Sequence, residues 1–179
     1  MKKSLAVLLV ALLLPWCATH AMPDLVVLVR HAEKATAPAD DPALSATGQQ
    51  RAEALAQALE HASITAIITT QFRRTRDTAQ PLAVRLHIEP LMVATRRGES
   101  AAHVPEVLAA IQKQNGNVLV VGHSNTVAQI AAALGGPALP DLCETTYGLA
   151  LVLQPQVKDA ALLRLRYGAA DAASQAGCQ

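Results

Sequence analysis

Leu25-Val26-Val27-Leu28-Val29-Arg30-His31-Ala32-Glu33-Lys34 is an apolar, β-branched run that stops at an Arg-His pair. Such a run reads as a buried strand that delivers two cationic, hydrogen-bonding side chains at its carboxyl end. In open α/β sheets that end is where ligands bind. The segments on either side alternate strand and helix. Ser45 is placed to cap a helix running through Arg51 and Leu55 to about His61. Ile64–Thr70 reads as a second strand, Thr75–Arg85 as a helix, and Ile88–Val93 as a short strand around Pro90. A helix over Ala102–Gln114, the turn Asn115-Gly116-Asn117, the apolar strand Val118–Val121 and a helix over Asn125–Leu134 follow. Gly148–Gln154 and Ala161–Tyr167 read as an antiparallel pair. The pattern predicts a three-layer α/β/α sandwich on a mostly parallel, mixed sheet. Ala35–Pro42, rich in Pro, Ala and Asp, reads as a surface loop.

The amino terminus carries an address. Lys2 and Lys3 precede the apolar run Leu5–Leu14, too short for a bilayer-spanning helix, and Thr19-His20-Ala21 offers small residues for a cut after Ala21. Residues 1–21 are expected to be a signal peptide and 22–179 a single exported domain, periplasmic or otherwise outside the cytoplasm, with no stable membrane insertion once the signal is gone. Removing 21 of the 179 residues leaves 158, enough for one substantial core. Without Lys2 and Lys3, 13 of the 15 basic residues face 14 acidic ones, a balance that argues against a nucleic-acid partner. Cys143 and Cys178 remain after Cys17 leaves, and an even number in an exported chain favours a disulfide between them, with two separate thiols as the alternative. No cysteine or histidine cluster has zinc spacing and no acidic set suggests magnesium, so no metal and no cofactor are expected. Nothing in the sequence sets an oligomeric state.

Four segments fall at strand ends on one edge of the predicted sheet. They are Arg30-His31, Thr70 to Ala79 with Arg73, Arg74 and Arg76, Arg96-Arg97-Gly98-Glu99, and Gly122-His123-Ser124-Asn125-Thr126. In a parallel sheet these loops converge. Guanidinium groups bind phosphate oxygens bidentately, a helix starting near Ser124 offers amide donors, and a neutral imidazole can attack phosphorus. A small phosphorylated substrate is therefore the expected partner. The aromatics beyond the signal are Phe72, Tyr147 and Tyr167, which form no evident stacking platform for a base or sugar. Arg51 and Glu33 read as members of structural or surface ion pairs, and His61 and His87 as surface residues.

Arg30-His31, Leu44-Ser45-x-x-Gly48-x-x-Arg51-Ala52, Arg74-Thr75-x-x-Thr78-Ala79 and Gly122-His123, in this order and spacing, resemble the histidine phosphatase (phosphoglycerate-mutase-like) superfamily. The resemblance runs from Leu25 to about Gly168, with Ala32 where many members have Gly. It implies that His31 is the nucleophile and forms a phosphohistidine, and that Arg30, Arg74 and His123 complete the phosphate pocket. Family members commonly take their general acid from an Asp or Glu in the loop after the segment bearing Arg74. Glu99, between Arg96-Arg97 and the next helix, is the expected acid and Glu89 the alternative. His103, Ser124, Asn125 and Arg97 are candidate substrate contacts. The implied activity is that of a metal-independent phosphomonoester phosphatase. The Gly122–Thr126 form is similar to that of small exported members acting on cell-envelope sugar phosphates. A silent phospho-ligand binder and a phosphohistidine-protein phosphatase are the other readings. A mutase would need lid segments to shield its phosphohistidine, and the short stretch between Arg74 and His123 leaves little room for them.

Overall fold

A computed structural model describes residues 22–172 apart from 97, 156 and 158–161, so the expected signal peptide, Arg97 and Cys178 lie outside the described residues. The elements, in chain order, are β1 (Val26–Arg30), α1 (Ala46–Leu59), β2 (Ile64–Thr69), α2 (Arg73–Leu86), β3 (Leu91–Met92), α3 (Ser100–Gln112), β4 (Asn117–Gly122), α4 (Ser124–Ala133), β5 (Leu149–Leu153) and β6 (Leu163–Arg166). Each expected element is present, displaced at its ends by a few residues. The largest trimming is at the third strand, where Pro90 has no N–H to give and pairing with β2 begins only at Leu91.

The six strands form one sheet in the order β3-β2-β4-β1-β5-β6. β1 pairs in parallel with β4, and β5 alone runs antiparallel to its neighbours β1 and β6. Because side chains alternate along a strand, β1 serves two cores. Val26 and Leu28 pack with Val107, Ile111, Val127 and Ile130 of α3 and α4, whereas Val27 and Val29 pack with Leu55, Leu59, Ala79 and Leu82 of α1 and α2. Burial on both faces explains the unbroken apolar run that opens the domain.

From β1 the chain leaves through α1 toward β2, and from β4 it leaves through α4 toward β5 on the other side of the sheet order. A crevice therefore opens at the carboxyl ends of these two central strands, where their outgoing connections part. Register places Arg30 opposite Gly122, and His31 N–H donates to the Gly122 carbonyl at 3.0 Å. His31 and His123 each stand one residue beyond a paired strand end, which is why they meet.

Candidate active site

His31 is 5 % exposed, and its Nδ1 lies 2.8 Å from the Ala32 carbonyl oxygen. A carbonyl only accepts, so Nδ1 carries the hydrogen and the lone pair resides on Nε2. Burial pushes the His31 pKa down to about 3, helped by the Arg30 and Arg74 charges and opposed by the Ala32 bond. Burial and then the neighbouring His31, Arg74, His103 and Arg30 charges push His123 down to about 3 as well. The two rings stand edge to face with centroids 5.4 Å apart. His123 Nε2 is 3.1 Å from Thr70 Oγ1, and Thr70 in turn is 2.9 Å from Thr75 Oγ1.

Arg30 is 1 % exposed, yet its charge is met by backbone oxygens and one carboxylate. Nη1 donates to the Cys143 carbonyl at 2.8 Å and to Thr146 at 3.5 Å, and Nη2 to Glu144 Oε2 at 2.5 Å. Its plane lies 4.4 Å from the Tyr147 ring centroid. Nε is buried with no hydrogen-bond partner among the described residues. Arg74 stacks at 4.2 Å over Phe72, whose ring meets His123 edge to face at 5.5 Å. Phe72 and Tyr147, expected to form no platform for a base or sugar, each carry a guanidinium of the chain itself.

These groups line a pocket of about 290 Å³. Its wall includes Arg30, His31, Arg74, His123, Ser124 and Asn125, bringing those predicted residues together. It also includes Lys34, Arg96, Asp40 and Glu144, so four permanent cations face two carboxylates, a balance that suits a dianion. Ser124 and Asn125 belong to the first turn of α4, and Ser124 Oγ donates to Glu144 Oε1 at 2.6 Å. Among the described residues no group of three or more His, Cys, Asp or Glu could hold a metal ion.

Several expectations are corrected. Glu99 is not in the pocket wall, although its neighbours Gly98 and Ser100 are, and its carboxylate turns to Arg96 at 3.7 Å. Glu89 precedes β3 and so lies at the amino end of the parallel strands, away from the crevice, beside His87 and Gln80. His103, expected as a substrate contact, is buried outside the pocket wall, Nδ1 donating to the Ala94 carbonyl at 3.1 Å. The loop read as mere surface reaches the site: Lys34 and Leu44 form a bridge at its base, Asp41 accepts from Arg73 N–H at 2.8 Å, and Ala39, Asp40 and Pro42 line the pocket. Glu33 makes a side-on pair with buried Arg51, with Nε and Nη2 each within 2.9 Å of its oxygens.

Sequence reasoning missed Glu144, Tyr147, Lys34 and Asp40. Only Lys34 and Asp40 lie near a motif in sequence; Glu144 and Tyr147 follow a stretch with no strand-end signal. The threonines of the Arg74-Thr75-x-x-Thr78 motif acquire a use here. Thr78 Oγ1 accepts the Ala32 N–H at 2.9 Å and donates to the Arg74 carbonyl at 2.7 Å, tying the histidine loop to the helix that bears Arg74.

Residues 26–98 match the family profile described as Histidine phosphatase superfamily (branch 1). The matched stretch carries Arg30, His31 and Arg74 and ends at Gly98, short of His123. No curated protein matches it. Solved structures of similar fold include the protein histidine phosphatase SixA complexed with tungstate, at 17 % identity and a TM-score of 0.61, with 79 % of this chain and 96 % of that chain covered. The alpha-ribazole phosphatase from Shigella flexneri aligns with the same identity, score and coverage. The mycobacterial glucosyl-3-phosphoglycerate phosphatase aligns at 18 % identity and a TM-score of 0.56, covering 78 % of this chain and 96 % of that one. The chain thus shares its α/β fold with phosphatases whose named substrates differ widely.

Proposed function

We propose that the protein is an exported, metal-independent phosphomonoester phosphatase that turns over through a phosphohistidine on His31. The observation that carries this reading is the tautomer of His31. With Nδ1–H fixed on the Ala32 carbonyl, Nε2 is left with a lone pair, and burial among cations keeps the ring neutral in a pocket built for a dianion. His31 Nε2 attacks phosphorus as the bond to the leaving oxygen breaks. Arg30, Arg74 and His123 are assigned to the equatorial oxygens, where preorganised donors stabilise charge in an in-line transfer. Water then attacks the phosphohistidine, breaking the P–N bond and releasing inorganic phosphate.

The cationic rim of Lys34 and Arg96 supports a small anionic phosphomonoester, a cell-envelope sugar phosphate among them. Export rests on residues 1–21, and mass analysis of the protein from its native compartment is expected to show Met22 at the amino terminus and a Cys143–Cys178 disulfide. The activity is tested by turnover of p-nitrophenyl phosphate in chelator, with acid-labile phosphoenzyme trapped at short times. Wild type is expected to give both, and His31→Ala neither. Turnover that survives in His31→Ala, or a folded wild type with no phosphoenzyme, would sink the phosphohistidine mechanism.

A further inference from the structure

The site needs a proton donor for the leaving oxygen, and the carboxylate expected for it, Glu99, points elsewhere. Two carboxylates line the pocket, Asp40 and Glu144. Among the described residues no hydrogen bond ties Asp40 to the phosphate-binding donors, and it rides on an exposed loop. Glu144 is different. One oxygen takes Arg30 Nη2 at 2.5 Å and the other takes Ser124 Oγ at 2.6 Å, while its side chain is 76 % exposed at the pocket mouth. Its backbone neighbours hold the far side of the same guanidinium, through the Cys143 and Thr146 carbonyls. One short segment therefore fixes both Arg30 and the carboxylate that rests on it.

We propose that Glu144 is the proton donor of this phosphatase, a carboxylate held by Arg30 and Ser124 until a phosphoryl group takes those two donors. The inference rests on the phosphohistidine reading of His31. Glu144 offers Arg30 a single oxygen and leaves Nε unmatched, whereas a phosphoryl group presents several oxygens and can engage Nε and Nη2 together. The tetrahedral dianion therefore outcompetes the carboxylate for the guanidinium. Although burial raises it, the Ser124 bond and the Arg30 charge together hold the Glu144 pKa below the usual carboxylate value. Losing both partners and facing a dianion reverses that balance, so the displaced carboxylate takes a proton from water as substrate enters. As His31 Nε2 bonds to phosphorus and the P–O bond breaks, the Glu144 carboxyl gives that proton to the leaving oxygen. The resulting carboxylate then accepts a proton from the water that attacks the phosphohistidine as the P–N bond breaks. When inorganic phosphate leaves, the carboxyl releases its proton and returns to Arg30.

The test compares Glu144→Gln with wild type on two substrates and one ligand. p-Nitrophenyl phosphate has a leaving group that departs without a proton, and glycerol 3-phosphate has one that does not. Glu144→Gln is expected to lose roughly 10²–10⁴-fold in the single-turnover rate of phosphoenzyme formation from glycerol 3-phosphate, the span of general acid catalysis. It should form phosphoenzyme from p-nitrophenyl phosphate at close to the wild-type rate and accumulate it, because hydrolysis of the phosphohistidine then lacks its base. Inorganic phosphate should bind the variant several-fold more tightly than wild type. Calorimetry in buffers of different ionisation enthalpy should show proton uptake on phosphate binding in wild type alone. Equal losses in the rate of phosphoenzyme formation from both substrates, or phosphate binding without tightening or proton uptake, would overturn the proposal. Absence of phosphoenzyme from wild type would instead strike the His31 mechanism, so the two failures are separable.

Discussion

At the scale of single residues the site depends on histidines kept uncharged among arginines. His31 and His123 both titrate near 3, chiefly because they are buried, with neighbouring positive charge adding to the effect. Imidazole ¹⁵N shifts are expected to show both rings neutral at pH 5, with Nδ1 of His31 protonated and Nε2 bare; a bare Nδ1 would invert the assignment of the nucleophilic atom. Thr78 offers a second check. Its hydroxyl satisfies the Ala32 N–H beside His31, so Thr78→Val, close to it in shape, leaves a buried donor unmet at a cost of about 1–3 kcal/mol. Urea titration measures that loss. His31, His123 and Arg30 were legible because they lie at strand ends, and a strand-end position in a parallel sheet is a place as well as a residue type. Glu144 was not legible, since Arg30 reaches it across 114 positions and no local pattern encodes that contact.

At the scale of elements, the start of α1 is wedged against the loop that follows His31. A Cβ built on Gly48 would stand 2.1 Å from the Glu33 carbonyl oxygen, and backbone at that distance has no rotamer with which to retreat. Gly48→Ala is therefore expected to destabilise by about 1–3 kcal/mol through overpacking and to weaken phosphoryl binding, which denaturation and phosphate calorimetry would measure together. Ser45 caps the same helix by accepting the Gly48 N–H at 3.1 Å. The Ser45-x-x-Gly48 signature thus encodes a cap and a close approach at once. Arg51, one turn further along, is 3 % exposed and holds Glu33 on one side while reaching Asp171 at 3.5 Å. Removing its nearer partner in Glu33→Ala strands a buried guanidinium, at about 3–5 kcal/mol by analogy with other broken buried pairs. Element types were legible from periodicity, but the ion pair's second carboxylate was not, because it comes from beyond the last strand.

At the scale of the whole molecule, stability should track the same two imidazoles. Each has a folded pKa near 3 against about 6.5 for an unfolded histidine, so below pH 6.5 the unfolded chain binds protons that the folded one refuses. Stability is fully present above that value and declines as pH falls toward 3, by about 1.4 kcal/mol per pH unit for each proton so excluded. Melting curves between pH 7 and 4 test this; a flat profile would mean that both rings accept protons inside the fold. The sheet order was only partly legible, since alternating strands and helices imply a parallel sheet without saying which strands are neighbours. Asp171 Oδ1 accepts the N–H groups of Tyr147 and Gly148 at 2.9 and 2.8 Å, and those residues adjoin the carbonyls and carboxylate that grip Arg30. A chain cut after Leu153 would carry every imidazole and guanidinium of the pocket, yet lack the fastening for the segment that holds Arg30. A deletion that spares every pocket residue can therefore still loosen the pocket, from a point beyond the last strand.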